Sequence, residues 1–394
     1  MTNSLDLKAP LEPAFPASEY QSRIAKVRTG MEAANLDAML ITYLPHLCYL
    51  TGFQTPVQDR LNCLVLPREG KPRLIVADAE YSSAPLHCWI TDVEAHPCRD
   101  AEAAPKKIIR TLDDIGLGKK RIGAEFRREG LTPWVYEHLS RALPNAQIVD
   151  ASEVLTNIRV VKSPLEISHI RQAARISDLG MSAAIQETRA GTTDNQIAAA
   201  AHEAMIRGGS EYFSAEPFII VGRRAGLNHA MYKRIPVNAG DAMTFEIAAA
   251  YHRYGGPVER TVVVGQPSDA IKRLADFSLE AINTLIANVR PGRPIAELAR
   301  IVDKVLSPLK GEIYPRTQFG YSVGLDFPPD WGEEVFLVHE GNPRNLEPGM
   351  VFHSPQSIRV PGRYGACISE LWAVTDTGVE VFSKLPREMT VIPA

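Results

Sequence analysis

The chain has 394 residues, 45% of them hydrophobic and 23% charged, which excludes a disordered or collagen-like polypeptide and leaves room for two or three domains. Its 43 Lys and Arg against 46 Asp and Glu give a net charge of −3, too balanced for a dedicated binder of nucleic acid or of an anionic membrane.

Residues 1–16 carry Asp6, Lys8 and Glu12 and no apolar stretch, so no secretory leader is expected. Residues 20–34 place Ile24, Val27 and Met31 at helical spacing. The apolar run 38–53 is broken by Pro45 and His46 and reads as a buried strand plus a turn, too short for a membrane span. Residues 38–42, 62–67 and 73–77 suit strands of a mixed or parallel sheet. A helix over 107–115, a strand over 122–124, a helix over 133–143 and a strand over 147–150 follow. This alternation predicts an α/β domain over residues 1–160. Cys48, Cys63, Cys88, Cys98 and Cys367 form no C-x-x-C pair, so neither a disulfide framework nor a zinc knuckle is expected, and a cytoplasmic setting follows.

A second domain, 161–394, opens with the segment Val161-Lys162-Ser163-Pro164-Leu165-Glu166. Ser163 caps a helix, Pro164 occupies its first position, and Glu166 completes a capping box. Thr193 and Gln196 form a second box. Strands over 243–251 and 258–264, helices over 269–289 and 294–306, and strand material from Gly320 onward complete an α+β pattern.

The suggestive side chains lie in this second domain. His229 sits in the loop-like Gly226-Leu227-Asn228-His229-Ala230, where an imidazole can serve as acid or base or can simply be solvated. Glu246, Glu259 and Glu370 each stand inside an apolar strand, where a carboxylate is costly unless it is paired or functional. Arg260 is the obvious structural partner for one of them. There is no P-loop, no H-E-x-x-H and no G-x-S-x-G; Gly320-Tyr321-Ser322-Val323-Gly324 lacks the elbow spacing.

The linker segment, Asn238-Ala239-Gly240-Asp241 before the strand pair, and Glu347-Pro348-Gly349-Met350-Val351-Phe352 together resemble the pita-bread superfamily of creatinase, prolidase and methionine aminopeptidase. The resemblance implies an α/β N-terminal domain and an α+β pita-bread catalytic domain. Metal-dependent members use Asp, Asp, His, Glu and Glu. Counted from the landmarks, those positions hold Glu246, Pro257, Tyr321, Pro355 and Ser369 here. That set suits a divalent ion poorly, so no metal cofactor is expected.

The metal-free members are creatinase and ectoine hydrolase. His229 lies eleven residues before Gly240, as the catalytic His of creatinase precedes its Gly-Asp, and Val258-Glu259-Arg260-Thr261 resembles creatinase's substrate-binding L-E-R-T. Arg60 falls near a creatinase Arg that reaches a neighbouring subunit's site, while Glu333 stands about where a second carboxylate-binding Arg would be. The segments Gly320 to Leu325, Pro328 to Glu333, Phe245 to Ala248, Phe352-His353 and Ile368-Ser369-Glu370 look more like ectoine hydrolase.

The resemblance thus implies a metal-independent hydrolase of a C–N bond in a small zwitterionic amidine or guanidino compound. His229 is its acid/base, Glu259 and Glu370 orient the substrate cation, and Glu246 assists them. Arg60, Tyr321 and His353 are expected to bind substrate. Water attack and a covalent Glu intermediate both stay open. The implied assembly is a homodimer with the site at the subunit interface, with no nucleic-acid or membrane partner. The rivals are a creatinase-like amidinohydrolase, a metal-dependent Xaa-Pro dipeptidase and a non-catalytic binding protein of the same fold.

Overall fold

The computed structural model describes residues 10–127 and 130–394. Most of the start read as leaderless therefore lies outside the described residues. The chain divides into two compact units, Met1–Arg159 and Val160–Ala394.

The first unit opens with α1 (Ala17–Ala33), which buries Tyr20, Ile24, Val27 and Met31 along one face. Strands β1 (Ala38–Ile41), β2 (Cys63–Pro67), β3 (Arg73–Ala77), β4 (Val93–His96), β5 (Arg121–Ala124) and β6 (Gln147–Asp150) form one sheet in the order β4-β3-β2-β1-β5-β6. β1 runs antiparallel to β2 and parallel to β5. Every residue of β1 and β2 is buried, which explains why these strands are continuous apolar runs instead of alternating ones. The helices are α2 (Leu44–Thr51), one-turn α3 (Asp78–Tyr81) and α4 (Ala84–His87), α5 (Ala103–Asp114), α6 (Pro133–Ala142) and α7 (Ser152–Arg159).

Helix α2 corrects the turn expected after the first strand. Pro45 lies in its first turn, where a missing N–H is harmless, and Gly52 ends it with φ at 78°. Glu125 accepts the backbone N–H of Thr42 and of Tyr43, each at 2.9 Å, and also holds the ring of buried His46. It thereby satisfies donors at the helix entrance.

In the second unit, α8 (Pro164–Glu187) begins with the expected capping box: Glu166 N–H donates to Ser163 Oγ at 3.2 Å, and Ser163 N–H donates to Glu166 Oε2 at 2.9 Å. α9 (Asp194–Arg207) starts the same way on Thr193 and Gln196. The pair covers β7 (Phe218–Val221) and β8 (Ala242–Ile247); a ribbon of β9 (Ala250–Tyr251) and β10 (Tyr254–Gly255) then leads to β11 (Val258–Val264). The ribbon turns at His252 and Arg253, both with positive φ, and a Cβ on Gly256 would strike the α8 backbone at Ala173 and Ala174.

A second helix pair, α10 (Asp269–Asn288) and α11 (Ile295–Leu306), covers β12 (Gln318–Val323), β13 (Gly332–His339) and β14 (Val351–Pro355). Each fully buried Leu or Ile here, such as Leu285 and Ile295, contributes about 1.5–3 kcal/mol. A ribbon of β15 (Ile358–Val360) and β16 (Tyr364–Ala366) precedes β17 (Ser369–Val374), β18 (Val379–Val381) and β19 (Thr390–Ile392). The sheet orders are β19-β11-β8-β7 and β13-β12-β14-β17-β18. β11 ties them together: Glu259 N–H donates to Ser369 Oγ at 2.6 Å, and Thr261 Oγ1 donates to Cys367 O at 2.8 Å. Two helix pairs over two joined sheets, antiparallel except for β19 beside β11, make the α+β pita-bread arrangement. No helix among the described residues is long and apolar enough to cross a membrane.

Candidate active site

Residue alternation along β8 and β11 builds the acidic centre. Glu246 and Glu259 are direct partners across these antiparallel strands, so both side chains leave the same sheet face. Both are buried. Three donors converge on Glu259. Ser357 Oγ and Cys367 Sγ reach Oε2 at 2.8 and 2.7 Å, and Arg359 Nη2 reaches Oε1 at 3.3 Å. That is the environment of an ionised carboxylate, which accepts and does not donate. Burial, and then the neighbouring charge of Glu259, push the Cys367 thiol well up, so it remains an S–H donor.

Glu246 is different. It makes no hydrogen bond through its carboxyl among the described residues, and its Oε1 lies 4.0 Å from His353 Nδ1. Burial first, and Glu259 second, push its carboxyl well above the usual carboxylate range; Arg359 offsets only part of this. The two facing acids are thus unequal: the donors gather on Glu259, and the carboxyl whose proton is held more tightly than usual is that of Glu246.

A neutral chain of side chains runs behind the acids. Trp331 Nε1 donates to Tyr321 Oη at 2.7 Å, Tyr321 Oη meets His353 Nδ1 at 2.7 Å, and His353 Nε2 meets Ser369 Oγ at 2.7 Å. Tyr321 and His353 are register partners on β12 and β14. Burial, reinforced by Arg260, pushes the His353 imidazole down to about 3, so the ring is neutral and can complete the chain in either tautomer. His353 is fully buried and supports Tyr321 and Ser369 rather than lining an open surface.

His229 is exposed in the loop after the turn Gly222–Gly226, with φ at 48°. Its ring stacks on Phe218 at 5.1 Å, and Phe218 meets Trp331 edge-on at 5.7 Å. Phe218 is the register partner of Glu246 on β7, so His229 stands at the rim of the same group.

One expected member lies on the other face of its strand. Glu370 follows Ser369 on β17 and therefore points to the other face. Its Oε1 accepts from Arg260 Nη2 at 3.2 Å and Arg387 Nε at 2.9 Å, a structural ion cluster, which corrects its reading as a cation-orienting carboxylate beside Glu259. Arg60, in the first unit, pairs with Asp59 at 2.9 Å and is 39% exposed, the surface pairing that also suits its sequence. Glu333 is buried against Lys162 and accepts from Ser322 Oγ at 2.7 Å.

Sequence reasoning missed Ser357, Arg359, Cys367 and Arg316. Arg316 donates to the carbonyls of Ser357, Pro355 and Gln318 at 2.6, 2.8 and 3.1 Å. Only the packing of the ribbon β15–β16, about a hundred residues on in sequence, brings Arg359 to Glu259.

The positions that hold metal in metal-dependent pita-bread members can be tested here by donor chemistry. Pro257 and Pro355 have no side-chain donor atom, and Pro355 is the register partner of Ser369. Ser369 Oγ is engaged by Glu259 N–H and His353, and Tyr321 Oη by Trp331 and His353. Only Glu246 offers a free carboxyl. Among the described residues no group of three or more His, Cys, Asp or Glu could hold an ion. The set does not fit a divalent metal.

Residues 168–376, over half of the chain, match metallopeptidase family M24, and residues 23–161 match the creatinase/prolidase N-terminal domain. Ectoine hydrolase of Halomonas elongata is 28% identical, over 96% of this chain and 98% of that protein. Xaa-Pro dipeptidase of Pyrococcus horikoshii is 25% identical, over 93% and 98%. The solved prolidase of Thermococcus sibiricus has a TM-score of 0.85 at 23% identity, covering 95% of this chain and 99% of that one. The chain is therefore a member of metallopeptidase family M24, a hydrolase family, carrying the creatinase/prolidase N-terminal domain ahead of its pita-bread domain.

Proposed function

We propose that this M24 member hydrolyses a non-peptide C–N bond in a small zwitterionic amidine or guanidino compound, in the manner of ectoine hydrolase, without a catalytic metal. The observation that carries the reading is the facing pair Glu246 and Glu259 in a group whose other ligand positions are Pro257, Tyr321, Pro355 and Ser369.

The carbon between two nitrogens of an amidinium is weakly electrophilic while its charge is delocalised. Ionised Glu259 attracts and orients that cation, held in place by Ser357, Cys367 and Arg359. Glu246, as a neutral acid, hydrogen-bonds a nitrogen and supplies a proton as the C–N bond breaks. His229 at the rim activates water or returns the proton. A homodimer to which Arg60 contributes, in a cytoplasmic setting that suits five free cysteines, belongs to the same proposal.

The dipeptidase names of other relatives favour peptide hydrolysis as the rival. Turnover of cyclic amidines, guanidino acids and Xaa-Pro dipeptides, measured with elemental analysis and chelation, separates the two. The proposal expects turnover of a non-peptide substrate that survives chelation. Dipeptide turnover lost on chelation, with two transition-metal ions per chain, would refute it.

A further inference from the structure

Arg359 is more than Glu259 requires. Its side chain is 11% exposed, and among the described residues one of its five N–H groups is engaged, at 3.3 Å, longer than a good charge-assisted bond. Its Nε is buried and meets no acceptor among the described residues, and the same is true of Arg316 Nε. Arg316 donates to the carbonyl of Ser357, the residue whose hydroxyl bonds Glu259. Beside Arg359 stand two carboxyls, Glu259, which takes its one bond, and Glu246, which accepts no hydrogen bond among the described residues. Asp330 adds a negative charge nearby, but it is exposed and its Oδ1 already accepts the N–H groups of Trp331 and Gly332. The buried part of the site thus holds guanidinium donors without acceptors among the described residues, which is costly.

We propose that Arg359, backed by Arg316, binds the carboxylate of the substrate. This rests on the reading of the substrate as a small zwitterion and deepens it. The planar guanidinium presents parallel N–H groups suited to a carboxylate, and its grip on Glu259 Oε1 places that carboxylate beside the anion that meets the substrate cation. The substrate class that fits carries its carboxylate and its amidinium a few ångströms apart, as an α-amino acid derivative does. Glu333 cannot take this role, being a carboxylate locked onto Lys162.

The test is calorimetric titration of the full chain with ectoine and with ectoine carboxamide, for wild type, Arg359→Gln and Arg359→Lys, with thermal unfolding as the fold control. Arg359→Gln is expected to lower affinity for ectoine at least about 10-fold more than affinity for the carboxamide, which shares only the loss of support for Glu259. Arg359→Lys keeps the charge but not the fork, falls between the two, and answers alone if Arg359→Gln does not fold. Equal binding of ectoine by wild type and variants, or equal loss of ectoine and carboxamide, would overturn the proposal. If wild type binds neither compound, the zwitterion reading fails, and acetate decides the subsite by itself. Acetate line broadening by wild type and not by the variants upholds it; none by wild type refutes it.

Discussion

Two isosteric substitutions, Glu246→Gln and Glu259→Gln, should have unequal consequences although the two residues are direct strand partners. At Glu259 the amide keeps one acceptor oxygen and turns an NH2 toward a site built of donors: Ser357, Cys367 and Arg359. Leaving a buried Arg facing a neutral group costs about 3–5 kcal/mol when the pair is fully buried. With Arg359 11% exposed and its bond at 3.3 Å, the lower end, about 3 kcal/mol, is expected. At Glu246 the change replaces one neutral group by another of the same shape, and about 1 kcal/mol or less is expected.

The pH dependence follows from the raised Glu246 carboxyl. As pH rises through the ordinary carboxylate range, the unfolded chain releases this proton while the folded chain retains it. The folded state then binds more protons, so this residue's contribution is fullest in acid and is lost as pH rises toward the folded value. Glu246→Gln lacks that loss, so its stability relative to wild type should increase from pH 5 to pH 8. Urea unfolding followed by tryptophan fluorescence measures both effects. The reasoning fails if Glu246→Gln is as damaging as Glu259→Gln, or if its difference from wild type does not grow with pH.

Three further outcomes are expected. His229→Ala should lower turnover by roughly 10² to 10⁴ while leaving unfolding unchanged, because its ring is exposed and stacks on Phe218 at the surface; near-normal turnover would make it an ordinary loop residue. Neutral His353 should confer acid lability: the unfolded ring gains a proton below about 6.5 and the folded ring only near 3, so lowering pH from 7 to 5 removes roughly 2 kcal/mol. His353→Gln should lack that loss, and urea midpoints at the two pH values check it. Mixing Arg60→Ala chains with His229→Ala chains should restore activity if Arg60 serves a neighbouring subunit; no recovery after demonstrated subunit exchange would confine Arg60 to its pair with Asp59.

Local rules made much of this chain legible before folding. Ser163 with Glu166, and Thr193 with Gln196, announced two helix starts because a capping box needs only four adjacent residues. The acids inside β8 and β11 stood out because an apolar strand does not tolerate a carboxylate without a reason. Helix α2 was misread because Pro45 and His46 look like a break, and it takes Glu125, far along the chain, to hold His46 and complete the helix entrance.

The division of roles among the acids was decided by tertiary structure alone. Glu259 and Glu370 look alike in sequence, yet pleating sends Glu370 to Arg260 and Arg387, and the segments packed around β11 bring Ser357, Cys367 and Arg359 to Glu259. Nothing local distinguishes Glu246 as the acid that keeps its proton, because that depends on which carboxyl the donors reach. Element boundaries come from interactions within a few residues, so the sequence by itself determined most of them. Protonation and pairing come from groups a hundred residues apart, and only the closed sheets bring those groups within hydrogen-bonding distance.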